Sequence, residues 1–114
     1  MEQKTAIVIG ASTGIGAATA EALAQQYKKI AITSFRHPEK LKEVQQKILA
    51  QGTDCYAETG DAGDFTFVKQ FIEHVTEHFG EKIDLLVNNA GISYVGLLTD
   101  MDETDWKRII DTNI

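Results

Sequence analysis

Cysteine is almost absent from this sequence: Cys55 stands alone, which excludes an intramolecular disulfide framework. Long apolar runs are missing as well, since stretches such as 6–9 and 85–87 are far too short to cross a bilayer. Basic residues are in deficit. Against 17 Asp and Glu there are 11 Lys and Arg, and the net charge of -6 argues against a nucleic-acid surface, which needs clustered positive charge. No linker, repeat or low-complexity segment interrupts the chain, and 114 residues suit one domain with no room for a second. Residues 1–5 lead straight into a strand-like run, so no signal peptide is expected ahead of the domain, and a cytoplasmic location is the default expectation. What is present is ordinary for a folded protein: 43% hydrophobic and 25% charged residues, unlike a disordered chain.

Short β-branched runs alternate with longer stretches of helical spacing. Thr5 to Ile9 read as a first strand, nearly continuous in apolar character, as expected when both faces are covered. From Gly14 to about Tyr27 the period is helical, with Gly16, Ala20, Leu23 and Tyr27 on one face. Ile30 to Phe35 predict a second strand, and Pro38 suits the first turn of a second helix carrying Leu41, Val44 and Ile48 and ending near Gly52. Asp54 to Thr59 predict a third strand. Asp64 is placed to cap a third helix with Val68, Ile72, Val75 and Phe79 on its buried face, and Gly80 stops it. Ile83 to Asn88 predict a fourth strand, followed by a loop through Gly91 and Gly96. Asp102 and Asp105 open a last helix containing Trp106, Ile109 and Ile110, which shows no stop signal before Ile114. The order β-α-β-α-β-α-β-α predicts an α/β fold with a parallel, doubly wound sheet, and residues 1–114 read as the truncated first half of a Rossmann-type domain. With no further strand beyond it, the outer edge of the fourth strand is expected to be bare and prone to self-association.

Between the first strand and first helix stands Gly10-Ala11-Ser12-Thr13-Gly14-Ile15-Gly16. The first glycine permits a tight exit from the strand, and the second lets backbone approach a pyrophosphate. The third, Gly16, shares a stripe with Ala20 and Leu23 and permits close helix packing. An anion then sits at the helix N-terminus, where unpaired N–H groups and the helix dipole favour it. A glycine-rich turn is by itself weak evidence. A strand before it, a helix after it and repeated β-α units beyond it point to a dinucleotide site. No Gly-Lys-Ser/Thr follows, so a Walker-type phosphate loop is not expected.

The spacing Gly-x-x-x-Gly-x-Gly resembles the short-chain dehydrogenase/reductase family, and further features fit in the same order. Asn88-Asn89-Ala90-Gly91 matches that family's Asn-Asn-Ala-Gly motif. Asp61-Ala62 follows the third strand, where the family commonly places an acid that binds the adenine edge. Asn113, within Asp111-Thr112-Asn113-Ile114, stands where the family carries its catalytic asparagine, which holds a water in the proton relay. The resemblance covers the whole chain and lies closest to the classical branch, which includes 3-oxoacyl carrier-protein reductases. It departs at Ile9, where the family often has Thr.

The resemblance implies a nicotinamide coenzyme bound by Gly10, Ser12, Thr13, Gly14, Ile15, Gly16, Arg36, Asp61, Ala62, Asn89, Ala90 and Gly91, with Asn113 as the catalytic residue present. It also implies hydride transfer with a small-molecule carbonyl or alcohol, and a homo-oligomer, dimer or tetramer, for the intact protein. At the end of the second strand, Ser34-Phe35-Arg36-His37 has no acid to pair with ribose hydroxyls and one arginine suited to a 2′-phosphate. NADP(H) is therefore favoured, with NAD(H) as the alternative. The family's Tyr-x-x-x-Lys pair is missing: four positions after Tyr27, Tyr56 and Tyr94 stand Ala31, Gly60 and Leu98. The chain is expected to be inactive alone. A stand-alone nucleotide-binding or scaffold module is the competing reading.

Several residues have plainer readings. Asn88 and Asn89 are also common turn formers, and Asn113 at helical spacing from Trp106, Ile109 and Ile110 can be a core amide. His74-Val75-Thr76-Glu77-His78 spells His-x-x-Glu-His, an inverted zinc-protease motif. On a crossover helix away from the cofactor loops it reads as a solvated helix edge, and no metal is expected. Cys55 reads as a small strand residue without a base partner.

Overall fold

Four parallel strands form the body of the sheet in the computed structural model, which describes residues 4–12, 14–88 and 92–94. They are β1 (Thr5–Ile9), β2 (Lys29–Ser34), β3 (Asp54–Thr59) and β4 (Leu85–Asn88), with α1 (Gly14–Leu23), α2 (Pro38–Ala50) and α3 (Phe65–Phe79) as the crossovers. A short fifth strand, β5 (Ile92–Tyr94), completes the order β3-β2-β1-β4-β5. β1 lies between β2 and β4, with Ile7 opposite both Ala31 and Leu86. The chain thus winds outward from β1 on one side, then crosses back to β4 on the other. That reversal between β1 and β4 is the switch point at which open α/β sheets bind ligands beyond their carboxyl ends.

Every residue of β1 is buried, because both faces of the strand are covered. On one face Ala6 and Val8 join Ile30 and Ile32 beneath α1 and α2, which contribute Ala20, Leu41, Val44 and Ile48. On the other, Ile7, Ile9 and Ala31 meet Val68, Phe71, Val75 and Phe79 of α3. The alternation along β1 is period two, while each helix supplies a stripe at period 3.6. This is the doubly wound, Rossmann-like arrangement read from the alternating pattern. The last helix expected there, with Trp106, Ile109 and Ile110, lies outside the described residues.

Five local expectations change. α1 ends at Leu23 rather than near Tyr27, because Gln25 and Gln26 bond back only three residues, to the Ala22 and Leu23 carbonyls. The Thr53 hydroxyl then takes the Ala24 carbonyl at 2.8 Å, so the tightened turn is satisfied from outside the helix. β2 runs one residue earlier than expected and leaves Phe35 outside, since the Ser34 hydroxyl donates to the Arg36 carbonyl at 2.7 Å and bends the chain away. α3 buries Phe71 in place of Ile72, which is only partly covered; the Phe71 ring lies 6.1 Å from that of Tyr56 on β3, a contact that turns this side of the helix toward the strand, and 5.9 Å from that of Phe67 one turn earlier on α3 itself. The cap itself is as expected, with Asp64 accepting from the Thr66 N–H at 2.9 Å and Gly80 ending the helix at φ 98°. β4 begins at Leu85 rather than Ile83, because Asp84 is engaged with Thr5 in both directions at 2.9 Å before the ladder starts.

The fifth difference is β5 itself. In place of a continuous loop after β4, Ile92–Tyr94 pairs antiparallel with it, Ser93 opposite Val87. The outer edge of β4 is therefore not bare as expected: its row of N–H and C=O groups finds partners in the returning chain.

Candidate functional site

The glycine loop leaves β1 with Gly10 at φ 80° and enters α1 with Gly14 at φ 58°, both in the left-handed region that side chains disfavour. The loop is tied to the neighbouring strand, because the Gly10 and Ala11 N–H groups both donate to the Thr33 carbonyl, at 2.8 and 3.0 Å. Gly16 is buried directly against this turn: a Cβ there would collide with the Gly10 carbonyl and press on the Ala11 Cα. The close approach that the sequence assigned to helix-on-sheet packing is thus made to the loop's own backbone. Above Gly14 the opposite holds, for a Cβ would meet nothing within 4 Å. Open space therefore lies over the first turn of α1, whose N–H groups have no intrahelical partners and whose first turn carries no acid to occupy them. Ile15, 79% exposed, stands beside that space as a large apolar side chain left in water. Ser12 is half-buried, and Thr13 lies outside the described residues.

The carboxyl ends of β2 and β3 close the same end of the sheet. The Gly60 N–H donates to the Ser34 carbonyl at 2.9 Å, joining the two strand ends. Beyond Ser34, Arg36 is exposed and its guanidinium carbon lies 5.5 Å from the centroid of the Phe35 ring. His37 takes a left-handed φ of 62° and Pro38 begins α2. After β3, Asp61 is exposed while its Oδ1 accepts from the Gly63 N–H at 2.8 Å and its carbonyl from the Asp64 N–H at 3.0 Å. One oxygen of this exposed carboxylate is thereby held to the turn that leads into α3. Ala62 is partly buried against the α3 core.

Parallel pairing sets all these termini at one edge. Gly10, Ser12, Gly14, Ile15, Gly16, Arg36, Asp61 and Ala62 sit past the carboxyl ends of β1, β2 and β3, and Asn88 ends β4 opposite Ile9. Asn89, Ala90, Gly91 and Asn113 lie outside the described residues. Sequence reasoning missed three groups here: the Thr33 carbonyl that anchors the loop, the Ser34 hydroxyl and the Phe35 ring. Thr33 also buries a hydroxyl that has no partner among the described residues. An aromatic residue directly before a lone arginine was a readable signal for the stacked pair; nothing in the sequence marks a backbone carbonyl.

The other side chains with chemistry gather elsewhere, where the edge strand β3 meets α3. The Tyr56 hydroxyl donates to Glu58 Oε2 at 3.0 Å, and His74 Nδ1 lies 3.1 Å from the same oxygen. His78 Nε2 lies 3.5 Å from Asp54 Oδ2. The two histidines of the zinc-like motif are therefore turned toward carboxylates of the edge strand, and no cluster of three metal-ligating side chains exists among the described residues. Burial pushes the Cys55 thiol up to about 12, with Asp54 adding to it, so the side chain stays protonated and inert at neutral pH. Burial and the bond to Glu58 push Tyr56 to about 12 as well, away from a general acid working near neutrality.

No helix among the described residues is long and apolar enough to cross a membrane. The family model for short chain dehydrogenase matches residues 4–114. The chain is 40% identical over 111 residues to 3-oxoacyl-[acyl-carrier-protein] reductase from Staphylococcus aureus, which covers 97% of this chain and 45% of that protein. Among solved structures, a doubly substituted short-chain dehydrogenase/reductase from Serratia marcescens superposes with a TM-score of 0.73 at 31% identity, over 97% of this chain and 45% of that one. The alcohol dehydrogenase from Thermococcus sibiricus, complexed with 5-hydroxy-NADP, gives 0.70 at 31% identity over 99% of this chain and 48% of its own. The chain spans about half the length of the proteins it matches.

Proposed function

Since the chain belongs to the short-chain dehydrogenase family of oxidoreductases, we propose that it forms the coenzyme-binding part of an enzyme that uses NADP(H) to interconvert a small-molecule carbonyl and its alcohol. The observation that carries this reading is the glycine loop. It is pinned to β2 through Thr33, backed by Gly16 and open above Gly14 at the switch point of the sheet. A rigid turn with open space over unpaired helix N–H groups fits a pyrophosphate, which needs backbone contact and a positive helix end. In this reading Gly10, Ser12, Thr13 and Gly14 cradle the phosphates, and Ile15 covers them from water. Asp61 and Ala62 hold the adenine edge, while Asn89, Ala90 and Gly91 line the far wall of the crevice. Arg36 meets the 2′-phosphate, which makes NADP(H) the favoured coenzyme over NAD(H). The coenzyme, when bound, supplies or accepts the hydride; Asn113 holds water for the accompanying proton.

The similarity to a 3-oxoacyl-[acyl-carrier-protein] reductase supports a ketone as the oxidised substrate, and the neighbour carrying an NADP derivative supports the coenzyme choice. The lone, buried Cys55 is in keeping with a reducing, cytoplasmic setting. Assembly of the intact protein as a dimer or tetramer belongs to the same proposal.

Titration with NADPH and NADH, followed by nicotinamide fluorescence, tests the coenzyme. NADPH should bind more tightly, and Arg36→Asp should weaken NADPH while sparing or improving NADH, because attraction at the 2′-phosphate becomes repulsion. Equal effects on both, or none, would overturn the preference. The 114 residues alone should not reduce a ketone with NADPH above a no-protein control, since a missing general acid ordinarily removes a factor of about 10²–10⁴. The second reading is a nucleotide-binding or scaffold module without catalysis. Coding sequence continuing past Ile114 into a Ser and a Tyr-x-x-x-Lys supports the enzyme; a stop codon there favours the module.

A further inference from the structure

Phe35 is 59% exposed, belongs to neither core, and stands among only three large apolar side chains left in water among the described residues. Its backbone is nevertheless well fixed. On one side the buried Ser34 donates its hydroxyl to the Arg36 carbonyl at 2.7 Å and accepts the Gly60 N–H at its own carbonyl. On the other, His37 at φ 62° and Pro38 start α2. The long Arg36 side chain of this turn is exposed, and its guanidinium carbon rests 5.5 Å from the centre of the Phe35 ring. A ring face attracts a guanidinium and occupies one side of it, while its N–H fork can still pair with phosphate oxygens.

We propose that Phe35 is a positioning residue for coenzyme selection: its ring braces the Arg36 guanidinium where a 2′-phosphate arrives. The inference rests on the NADP reading of Arg36 given above. Phe35 acts by reducing the number of orientations Arg36 must give up on binding. It touches no part of the coenzyme. Preorganisation of this kind appears as affinity for the phosphate and leaves the affinity for the rest of the nucleotide alone.

The test uses two probes that differ by one group, adenosine 2′,5′-bisphosphate and adenosine 5′-monophosphate, titrated calorimetrically into the protein. Phe35→Leu keeps an apolar side chain at an exposed position and removes the ring face. It should weaken the bisphosphate roughly two- to fivefold, the size of an exposed cation–π contact, and leave the monophosphate unchanged. Phe35→Trp should restore the bisphosphate affinity. In an Arg36→Ala background, Phe35→Leu should have no further effect, because the partner of the ring is gone. Equal losses for both nucleotides would show that the ring contacts adenine and overturn the proposal, as would a loss that persists without Arg36. If Arg36→Ala leaves the preference for the bisphosphate intact, the NADP reading fails and the brace with it. If Arg36→Ala abolishes the preference and Phe35→Leu does not touch it, the brace alone fails.

Discussion

The two helices over β1, α1 on one face of the sheet and α3 on the other, pack by opposite rules. Under α1 the contacts are small: Gly16, Ala17, Ala20 and Ala24 lie against Ala6, Val8 and Ala11, and within α1 nothing larger than Leu23 joins them. Under α3 they are rings, with Phe67, Phe71, Phe79 and Tyr56 packed over Ile7, Ile9 and Ala31. Small residues let backbone meet backbone, which is what holds a turn rigid enough to cradle a phosphate. Rings bury area, which holds the domain together. The α1 contact should therefore be intolerant of added atoms and the α3 contact of removed ones.

Removal on the aromatic face should have the largest effect on stability. Phe71, 2% exposed and within 6.1 Å of two other ring centroids, leaves a cavity when replaced by alanine. Phe71→Ala should cost about 3–5 kcal/mol in denaturant unfolding and leave the nucleotide affinity of the folded protein near wild type. A parallel fall in affinity would mean that the two faces are not separable in this way.

Addition on the small face should show the reverse balance. A methyl at Gly16 strikes the Gly10 carbonyl, which is backbone and cannot rotate aside. Gly16→Ala should cost about 1–3 kcal/mol, the usual penalty of overpacking, and should abolish most NADPH binding because the loop itself must move. Retained affinity with lowered stability would show that the close approach serves packing alone.

This difference also sets what could be read in advance. Periodicity and turn residues gave the elements and their order, since β1 is buried throughout and α2 presents Leu41, Val44 and Ile48 as spaced. The glycine loop was legible because backbone conformation and close approach are written in residue type. Phe71 in place of Ile72 was not, because a helix's rotation depends on which side chain of the sheet it meets, here the Tyr56 ring of β3. Propensity places Phe35 in β2, whereas a single hydroxyl bond from Ser34 bends the chain out before it. β5 was hidden for a related reason: three residues carry no period, and their pairing answers the unfilled edge of β4.

The smallest expected effect lies at the rim of the aromatic face, where α3 meets the edge strand. Glu58 Oε2 receives both the Tyr56 hydroxyl at 3.0 Å and His74 Nδ1 at 3.1 Å. The Tyr56 hydroxyl keeps its proton, being pushed up to about 12, so protonation of His74 decides the charge on its side of the pair. The bond to Glu58 is the main cause holding His74 above its ordinary value; desolvation opposes it, and the Glu58, Glu77 and Glu73 charges add to the rise. A histidine raised in the folded state stabilises that state fully below its unfolded value, about 6.5, and the gain disappears as pH rises through the folded value. Wild type should therefore exceed Glu58→Gln in melting temperature by more at about pH 5.5 than at about pH 8. The difference should be small and shrink in high salt, because both groups face solvent. Nuclear magnetic resonance titration should show the His74 pKa falling in Glu58→Gln. A melting gap that widens toward alkaline pH would mean that His74 pairs with Glu58 as a neutral ring.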